Sequence, residues 1–304
     1  MKQARVLITG AGGFVGSALA AGFAGLGARV TGLDRTFDAQ ARLRLRGVDL
    51  VEHDLAQGDD GLRDLTADVM IHAAALTTNP AALGMTEAEH VTANMAPLLA
   101  MLRHAGRIRP DAFVFLSSSG VFGQADGSPN LTDADAATAQ GPYSAAKKAG
   151  EVLVPGALAE VCATHVVRLG YLYGPHEGVR DTRARVSLMQ SWIDAARAGQ
   201  DIAVSATNAR RDWTFAPDLA PALARIVAGP GRVRPVHLCT PLAVADRDVA
   251  GAIAARFPGV AVTTGPAIPT KAPMVPTALS ALDGFAWTGI AAGLDAICRA
   301  KVAA

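Results

Sequence analysis

Residues 5–16 read RVLITGAGGFVG, an apolar, largely β-branched run that passes directly into four closely spaced glycines. The apolar run predicts a strand buried on both faces. Glycines at positions 10, 13 and 16 permit a tight turn, close approach of the backbone to a pyrophosphate and close packing of the helix that follows. The N-terminus of that helix favours negative charge. The stretch therefore predicts the first strand, turn and helix of a dinucleotide-binding domain.

The same alternation of strand and helix continues beyond this stretch. Strands are predicted at 5–9, 29–33, 48–52, 68–73, 112–117 and 164–169, and helices at 13–26, 36–46, near 60, and at 86–104, 186–198, 218–228 and 290–299. Such alternation indicates a parallel sheet with right-handed crossovers. We predict an α/β fold, a doubly wound parallel sheet of the Rossmann type. The predicted domains are 1–170, with returns to the sheet near 201–230, and a smaller, interleaved substrate-binding lobe at 171–304.

Composition narrows the class of protein. The 304 residues are 50% hydrophobic and 18% charged, with a net charge of +1, which excludes a disordered chain and argues against nucleic-acid binding. The three cysteines are far apart, so neither a metal site nor a disulfide framework is predicted. The uncharged stretch 6–28 contains seven glycines, which disfavour a membrane or export helix. We expect a cytoplasmic protein that acts on a small molecule.

Asp34 is a candidate ligand of the dinucleotide. It ends the second predicted strand, 24 residues after Gly10, where a carboxylate can accept hydrogen bonds from both hydroxyls of an adenosine ribose. This favours NAD, because the 2′-phosphate of NADP would face a like charge. Arg35 follows directly and can hold such a phosphate, so NADP remains the less favoured alternative.

A candidate catalytic group lies in YSAAK, residues 143–147. Tyr143 and Lys147 are four residues apart and therefore share one helix face. A tyrosine is a poor base at neutral pH, and a nearby lysine charge favours its phenolate. Ser117, Ser118 and Ser119 end a predicted strand at the carboxyl edge of the sheet, where such folds bind ligands. By contrast, His72 is predicted to be structural and Asp218 to cap the helix that follows it.

The chain resembles the extended short-chain dehydrogenase/reductases, in particular the NAD-dependent epimerase/dehydratase type and UDP-glucose 4-epimerase-like proteins. The matching stretches are TGAGGFVG (9–16), Asp34, Asp54-Leu55, HAAA (72–75), Asn94, SSSGVFG (117–123), YSAAK (143–147), RLGYLYGP (168–175) and RRDWTFAPDLA (210–220). The resemblance implies a catalytic trio of Ser118, Tyr143 and Lys147. It also implies a homodimer formed through the helices near 86–106 and 143–159.

The resemblance further implies the binding residues. For the cofactor these are Gly10, Gly13, Phe14, Val15, Gly16, Asp34, Arg35, Asp54, Leu55, Ala73, Ala74, Asn94, Tyr143 and Lys147. For a sugar-type substrate they are Thr77, Ser118, Ser119, Tyr171, Arg180, Arg183 and Arg211, the last matching the family's phosphate-binding arginine. Arg180 and Arg183 lie in a highly charged stretch. They either grip a substrate anion or form ion pairs within their own loop.

Two departures from the family narrow the reaction. Relatives that eliminate water across C5 and C6 of a sugar carry an Asp-Glu pair after the catalytic Ser/Thr, but here Ser119 and Gly120 occupy those positions, which disfavours a 4,6-dehydratase. Tyr171 stands where nucleotide-sugar enzymes usually have Asn, which weakens the nucleotide-sugar interpretation without removing it.

Three functions follow from these observations. The favoured one is an NAD-dependent nucleotide-sugar 4-epimerase. The alternative is an NAD-dependent dehydrogenase that acts on a free sugar, a sugar acid or another small hydroxy compound and releases NADH. A non-catalytic dinucleotide-binding regulator is disfavoured, because such relatives typically lose the Tyr/Lys pair that this chain retains at 143 and 147.

Overall fold

A computed structural model describes residues 2–180 and 183–302. Its strands are β1 (Arg5–Thr9), β2 (Arg29–Asp34), β3 (Asp49–Glu52), β4 (Val69–His72), β5 (Ala112–Ser118), β6 (Ala163–Leu169), β7 (Tyr171–Tyr173), β8 (Ile202–Ser205), β9 (Arg210–Arg211), β10 (Trp213–Phe215), β11 (Val236–Leu238), β12 (Val244–Ala245) and β13 (Val262–Gly265). Its α-helices are α1 (Phe14–Gly25), α2 (Ala39–Arg44), α3 (Glu87–Ile108), α4 (Pro142–Leu158), α5 (Leu188–Arg197), α6 (Leu219–Val227), α7 (Asp246–Ala254) and α8 (Ile290–Val302).

Seven parallel strands form the central sheet, in the order β11-β6-β5-β4-β1-β2-β3. The strand order reverses direction between β1 and β4, so the carboxyl ends of those strands open a crevice where doubly wound folds bind ligands. Thr9, Asp34, His72 and Ser118 all lie at this edge. The predicted doubly wound α/β fold is confirmed.

Apolar layers cover both faces of the sheet. On one face, Val6 and Ile8 of β1 pack with Phe23 of α1 and Leu223 of α6. On the other face, Leu7 of β1 packs in the layer that contains Met101 of α3 and Val154 of α4. Successive residues of one strand therefore face opposite helical layers, as expected for a strand that is buried on both sides.

A third apolar cluster forms the core of the C-terminal lobe. Trp192 of α5, Trp213 of β10 and Ile253 of α7 pack there together with β8 and α8. Among the described residues of this lobe, the strands join in pairs, β7 with β10, β8 with β13 and β9 with β12. Because two-stranded pairs are weak alone, the lobe depends on packing against its helices.

The segment of the C-terminal half that returns to the central sheet differs from the prediction. Helix α6, within the predicted interval 201–230, packs against α1, but the strand that joins the sheet is β11, which begins at Val236. A three-residue strand after a loop rich in Pro, Gly and Arg carries no periodic signal. The division of the chain at residue 170 stays a prediction.

Several helix ends also differ from the prediction. Helix α3 continues through Gly106 to Ile108 and ends at Arg109, which adopts a left-handed conformation with φ of 48°. The predicted helix 36–46 shortens to α2 because the Asp38 side chain caps its N-terminus, and residues 60–62 form a single 3₁₀ turn.

The predicted capping role of Asp218 is wrong. Its backbone is already helical, with φ of −71° and ψ of −17°, whereas an N-cap side chain acts from an extended backbone. The carboxylate accepts hydrogen bonds from the backbone N–H and the hydroxyl of Thr288, at 2.7 and 2.8 Å, and so ties α6 to the segment before α8. Across the described ranges, no helix is both long and apolar enough to cross a membrane.

Candidate active site

A cavity of about 1120 Å³ opens at the carboxyl edge of the sheet and extends toward the C-terminal lobe. We call the part around Gly10, Gly13 and Asp34 the glycine end, and the part around Tyr171 and Arg211 the arginine end. Most residues predicted to bind cofactor or substrate line this cavity: Gly10, Gly13, Phe14, Val15, Gly16, Asp34, Arg35, Asp54, Leu55, Ala73, Ala74, Thr77, Ser118, Tyr143, Lys147, Tyr171, Arg180, Arg183 and Arg211. Their individual roles stay predictions.

The glycine turn forms a cradle that has no room for side chains. Gly10 has φ of +67°, and a Cβ atom on it would lie 2.8 Å from the backbone of Ala74. Gly13 precedes α1 as its N-cap residue and donates its N–H to the carbonyl of Gly10 at 2.9 Å. The positive end of the α1 dipole therefore faces a space bounded by backbone, which fits the pyrophosphate of a dinucleotide.

Thr9 and His72 hold the opposite wall of this cradle. The Thr9 hydroxyl accepts hydrogen bonds from the N–H groups of Ala73 and Ala74, at 3.2 and 3.1 Å, and lies 3.0 Å from Nδ1 of His72. Burial lowers the pKa of His72 to about 3, so the ring stays neutral. His72 therefore matches its predicted structural role, whereas Thr9 was not singled out from the sequence.

Asp34 lies at the rim of the glycine end. Its carboxylate accepts hydrogen bonds from the N–H groups of Gly12 and Arg35, at 2.9 and 2.8 Å. Burial raises the pKa of Asp34, while these two N–H groups and the nearby guanidinium of Arg180 act in the opposite direction. Each oxygen retains acceptor capacity beyond one backbone N–H, so the carboxylate can also accept hydrogen bonds from ribose hydroxyls.

Ser118 and Tyr143 meet where β5 ends beside the start of α4. The Ser118 hydroxyl oxygen accepts a hydrogen bond from the N–H of Gly120 at 3.0 Å, which leaves its proton to donate elsewhere. Burial raises the pKa of Tyr143, and the hydrogen bond with Ser118 and the charge of Arg183 oppose that rise. The phenol is thus buried beside two groups that favour its ionised form.

Lys147 lies one helical turn after Tyr143 and is almost fully buried. Its Nζ donates a hydrogen bond to the Leu116 carbonyl at 2.7 Å and lies 5.8 Å from the centre of the Tyr143 ring. Burial lowers the pKa of Lys147 to about 8, and the carboxylate of Glu151 acts against this change. A cation is therefore held beside the tyrosine at neutral pH.

Two predicted site residues lie outside the cavity wall. The Asn94 side chain hydrogen-bonds to the N–H and the carbonyl of Leu76, at 2.9 and 3.2 Å, so it supports the backbone behind the cavity. Ser119 is buried in the 3₁₀ turn that follows Ser118. The sequence motifs identify the segments that carry Asn94 and Ser119. They do not show which side chains of a segment face the cavity, because that depends on the direction of the backbone in the folded protein.

Arg211 makes several side-chain contacts at the arginine end. Its guanidinium stacks over the Tyr171 ring, 4.5 Å from the ring centre, and lies 5.9 Å from that of Trp213. Asp246 accepts hydrogen bonds from Nε and Nη2 at 2.8 and 3.0 Å, and Nη1 donates to the Thr270 hydroxyl at 3.3 Å. The arginine is therefore fixed in place by a buried carboxylate that sequence inspection missed.

Residues 178–180, 183 and 187 line the cavity and include the other two predicted arginines; Asp181 and Thr182 lie outside the described residues. Arg180 forms an ion pair with Asp38 at 2.8 Å, at the glycine end. Arg183 donates to Glu177 at 2.6 Å, and its guanidinium lies 5.8 Å from the centre of the Phe14 ring. Both arginines line the cavity, and both have carboxylate partners.

The described residues contain no group of three or more His, Cys, Asp or Glu side chains that could hold a metal ion.

The model of the NAD dependent epimerase/dehydratase family matches residues 6–237, more than three quarters of the chain. No curated protein sequence is a significant match. Among solved structures, the UDP-glucose 4-epimerase of Thermotoga maritima, in complex with UDP-glucose, is 16% identical, has a TM-score of 0.83, and the alignment covers 98% of this chain and 99% of that one.

Two further structures are similar over almost their whole length. The UDP-glucose 4-epimerase of Thermus thermophilus, in complex with NAD, is 20% identical with a TM-score of 0.79 and coverage of 97% and 99% of the two chains. TunA, an NAD-dependent NDP-hexosamine 5,6-dehydratase involved in tunicamycin biosynthesis, is 21% identical with a TM-score of 0.79 and coverage of 99% of both. At these identities the similarity establishes the fold.

Proposed function

The chain belongs to the NAD-dependent epimerase/dehydratase family, and on that basis we propose that it is a nucleotide-sugar 4-epimerase that uses Ser118, Tyr143 and Lys147. One observation carries the proposal. The three side chains line one cavity together with the backbone cradle at Gly10 and the fixed side chain of Arg211. This layout suits a reaction at one carbon between two bound molecules.

The glycine end is the proposed cofactor site. Gly10 and the N-terminus of α1 would receive the pyrophosphate, and Asp34 would accept hydrogen bonds from the adenosine ribose, which favours NAD over NADP. Lys147 would hold the nicotinamide ribose. The chemistry that the cofactor supplies, when bound, is reversible acceptance of a hydride.

In the proposed reaction, Tyr143 removes the proton from a sugar hydroxyl while a hydride leaves the same carbon, so that a ketone forms. Ser118 hydrogen-bonds the Tyr143 phenol in this structure, and its single proton would turn to the reacting oxygen when a substrate is bound. Lys147 stabilises the phenolate by charge. Rotation of the ketone followed by return of hydride to its other face, with the proton given back by Tyr143, inverts the carbon.

A second candidate is a dehydrogenase of a free sugar, a sugar acid or a similar hydroxy compound. The observation that favours it is the state of Arg211, whose guanidinium is covered by Tyr171 and bonded on two nitrogens to Asp246. An arginine in this state has fewer N–H groups left for a diphosphate than one that faces the cavity freely. A substrate carboxylate or a single hydroxyl needs fewer N–H donors than a diphosphate does.

The test incubates the purified protein with NAD or NADP and a panel of UDP-, GDP- and dTDP-sugars, free sugars and sugar acids. Absorbance at 340 nm reports net NADH, and chromatography reports the sugar products. We expect interconversion of two nucleotide sugars without net NADH. Net NADH with a free sugar or sugar acid would establish the dehydrogenase instead, a dehydrated sugar would establish an elimination, and cofactor binding without any turnover would point to a regulator.

A further inference from the structure

Three side chains on one face of α4 contact the last three residues of β5. Tyr143, Lys147 and Glu151 are spaced four residues apart, so they lie one above another along the helix. Their partners are Ser118 for the Tyr143 phenol, the Leu116 carbonyl for Lys147 Nζ at 2.7 Å, and the Ser117 hydroxyl for Glu151 Oε1 at 2.6 Å. The proposed mechanism uses the first two of these side chains and leaves Glu151 without a role.

Glu151 is a buried charge with a fixed partner. Its two oxygens accept hydrogen bonds from Nε and Nη2 of Arg168, both at 2.8 Å, and the two side chains are only 7% and 6% exposed. Arg168 lies on β6 directly opposite Ser117 in the sheet register. Burying such a pair is costly and adds little stability compared with apolar side chains, which makes a role beyond stability worth testing.

Few other charges surround Lys147. His72, on β4, is neutral because burial lowers its pKa to about 3. Asn94, on α3, lines the same small cavity beside Lys147 and carries no charge. Arg183 acts on Tyr143 from the segment 174–187, and Arg168 is bonded to Glu151 itself. The Glu151 carboxylate is therefore the charge that opposes the effect of burial on the Lys147 ammonium.

We propose that Glu151 is a positioning residue of the Tyr143/Lys147 pair: Ser117 and Arg168 fix its carboxylate, which keeps the Lys147 ammonium charged beside the tyrosine. The proposal rests on the proposed function, since it assigns Glu151 a part in that same site. Glu151 does not touch the reacting atoms. It acts through Lys147, one helical turn away.

The expected pH dependence follows from the sign of this interaction. Burial lowers the pKa of Lys147 to about 8, and the negative charge of Glu151 limits that lowering. Without the charge, Lys147 should lose its proton at lower pH, and Tyr143 should then need higher pH to ionise. In the variant, the state with a charged Lys147 beside Tyr143 should therefore be lost at lower pH than in the unmodified protein.

The test compares Glu151→Gln with the unmodified protein by ¹³C NMR titration of the lysine side chains. The chain contains five lysines, so the Lys147 signal can be assigned as the one missing from Lys147→Arg. We expect the Lys147 titration to move down by about one pH unit, a typical effect of one nearby charge. The alkaline limb of kcat/KM should move in the same direction, and Glu151→Asp should restore most of both.

Glu160→Gln is the matched control, because it removes the same charge from an exposed position and should leave the Lys147 titration unchanged. If Glu151→Gln does not fold, the double variant Glu151→Gln/Arg168→Met removes both buried charges and takes the same titration. An unchanged Lys147 titration in a folded variant would show that Glu151 only ties α4 to the sheet, and would overturn the proposal. The titration needs no substrate, so its result is independent of whether the sugar panel finds one.

Discussion

The two ends of the cavity are built from different parts of the protein chain. At the glycine end, main-chain groups of the β1–α1 turn bound the cradle, no side chain fits at Gly10, and the Asp34 carboxylate lies at the rim. At the arginine end, side chains form the wall: the Arg211 guanidinium is bonded to the Asp246 carboxylate and stacks on the Tyr171 ring.

The glycine end therefore has a fixed shape, whereas the ligand that binds at the arginine end depends on which side chains are present. A backbone cradle accepts one ligand shape and tolerates no added atoms. A paired arginine can bind an anion only by sharing its N–H groups with the carboxylate it already holds, so the identity of the side chains decides the ligand. Substitutions at the two ends should therefore affect different measurements.

Tyr143→Phe should have the largest effect, because Tyr143 is the proton carrier of the proposed reaction. Loss of the phenolic proton carrier is expected to lower kcat by about 10³-fold, within the range for general acid–base groups, while dinucleotide affinity stays the same. Steady-state kinetics and calorimetric binding measure the two quantities. Tyr173→Phe, the same change in the buried core of the C-terminal lobe, is the control. Near-normal turnover in Tyr143→Phe would refute the assigned acid–base role.

Gly10→Ala should weaken dinucleotide binding at the glycine end and leave the arginine end unchanged. The added Cβ would meet the Ala74 backbone at 2.8 Å, and a residue with φ of +67° is strained when it is not glycine. We expect dinucleotide Kd to rise about 100-fold, which corresponds to about 2.7 kcal/mol. Gly25→Ala, in α1 with open space around its Cβ position, is the control. Equal Kd values for the two variants would mean that the cradle does not bind the dinucleotide.

Arg211→Lys should weaken the arginine end alone. A lysine keeps the charge but loses the planar group that bonds to Asp246 at two nitrogens and stacks on Tyr171. We expect KM for the sugar substrate to rise about tenfold with little change in kcat or in dinucleotide Kd. Arg210→Lys tests the exposed neighbour as a control. A change in dinucleotide Kd would show that the two ends are not independent.

Asp34→Ala should change cofactor preference at the glycine end rather than turnover. Without the carboxylate, NAD loses a hydrogen-bond acceptor and NADP no longer meets a like charge. The ratio of the two Kd values should therefore shift about tenfold toward NADP, or about 1.4 kcal/mol. Fluorescence titration with both cofactors gives the ratio. The exposed Asp64→Ala removes the same charge elsewhere and should not change it.

The residues of the glycine end can be singled out from the sequence because their pattern is local. The β1–α1 turn and Asp34 occupy fixed places in a strand-turn-helix unit, and a tyrosine and a lysine four residues apart must share a helix face. The structure indeed places Ser118, Tyr143 and Lys147 together at one cavity. Glu151 continues the same spacing, and extending the pattern by one turn would have found it.

The arginine end was harder to predict because its contacts are tertiary. Arg211 and Asp246 are 35 residues apart, and no local pattern pairs them. Strands β7, β9 and β12 have only two or three residues each, too few for a period of two to be visible. Asp218 was assigned to the nearest helix end, but its partner, Thr288, is 70 residues away.

The row of contacts between α4 and β5 also limits which changes of chain length the protein can tolerate. Each residue of an α-helix turns the chain by about 100°, so one residue inserted between Tyr143 and Lys147 would rotate all that follows away from the sheet edge. Gly150, which packs against the Phe115 ring with no space for a Cβ, would be displaced in the same step. Homologues that keep this chemistry should therefore vary in the residues of this helix segment but not in their number.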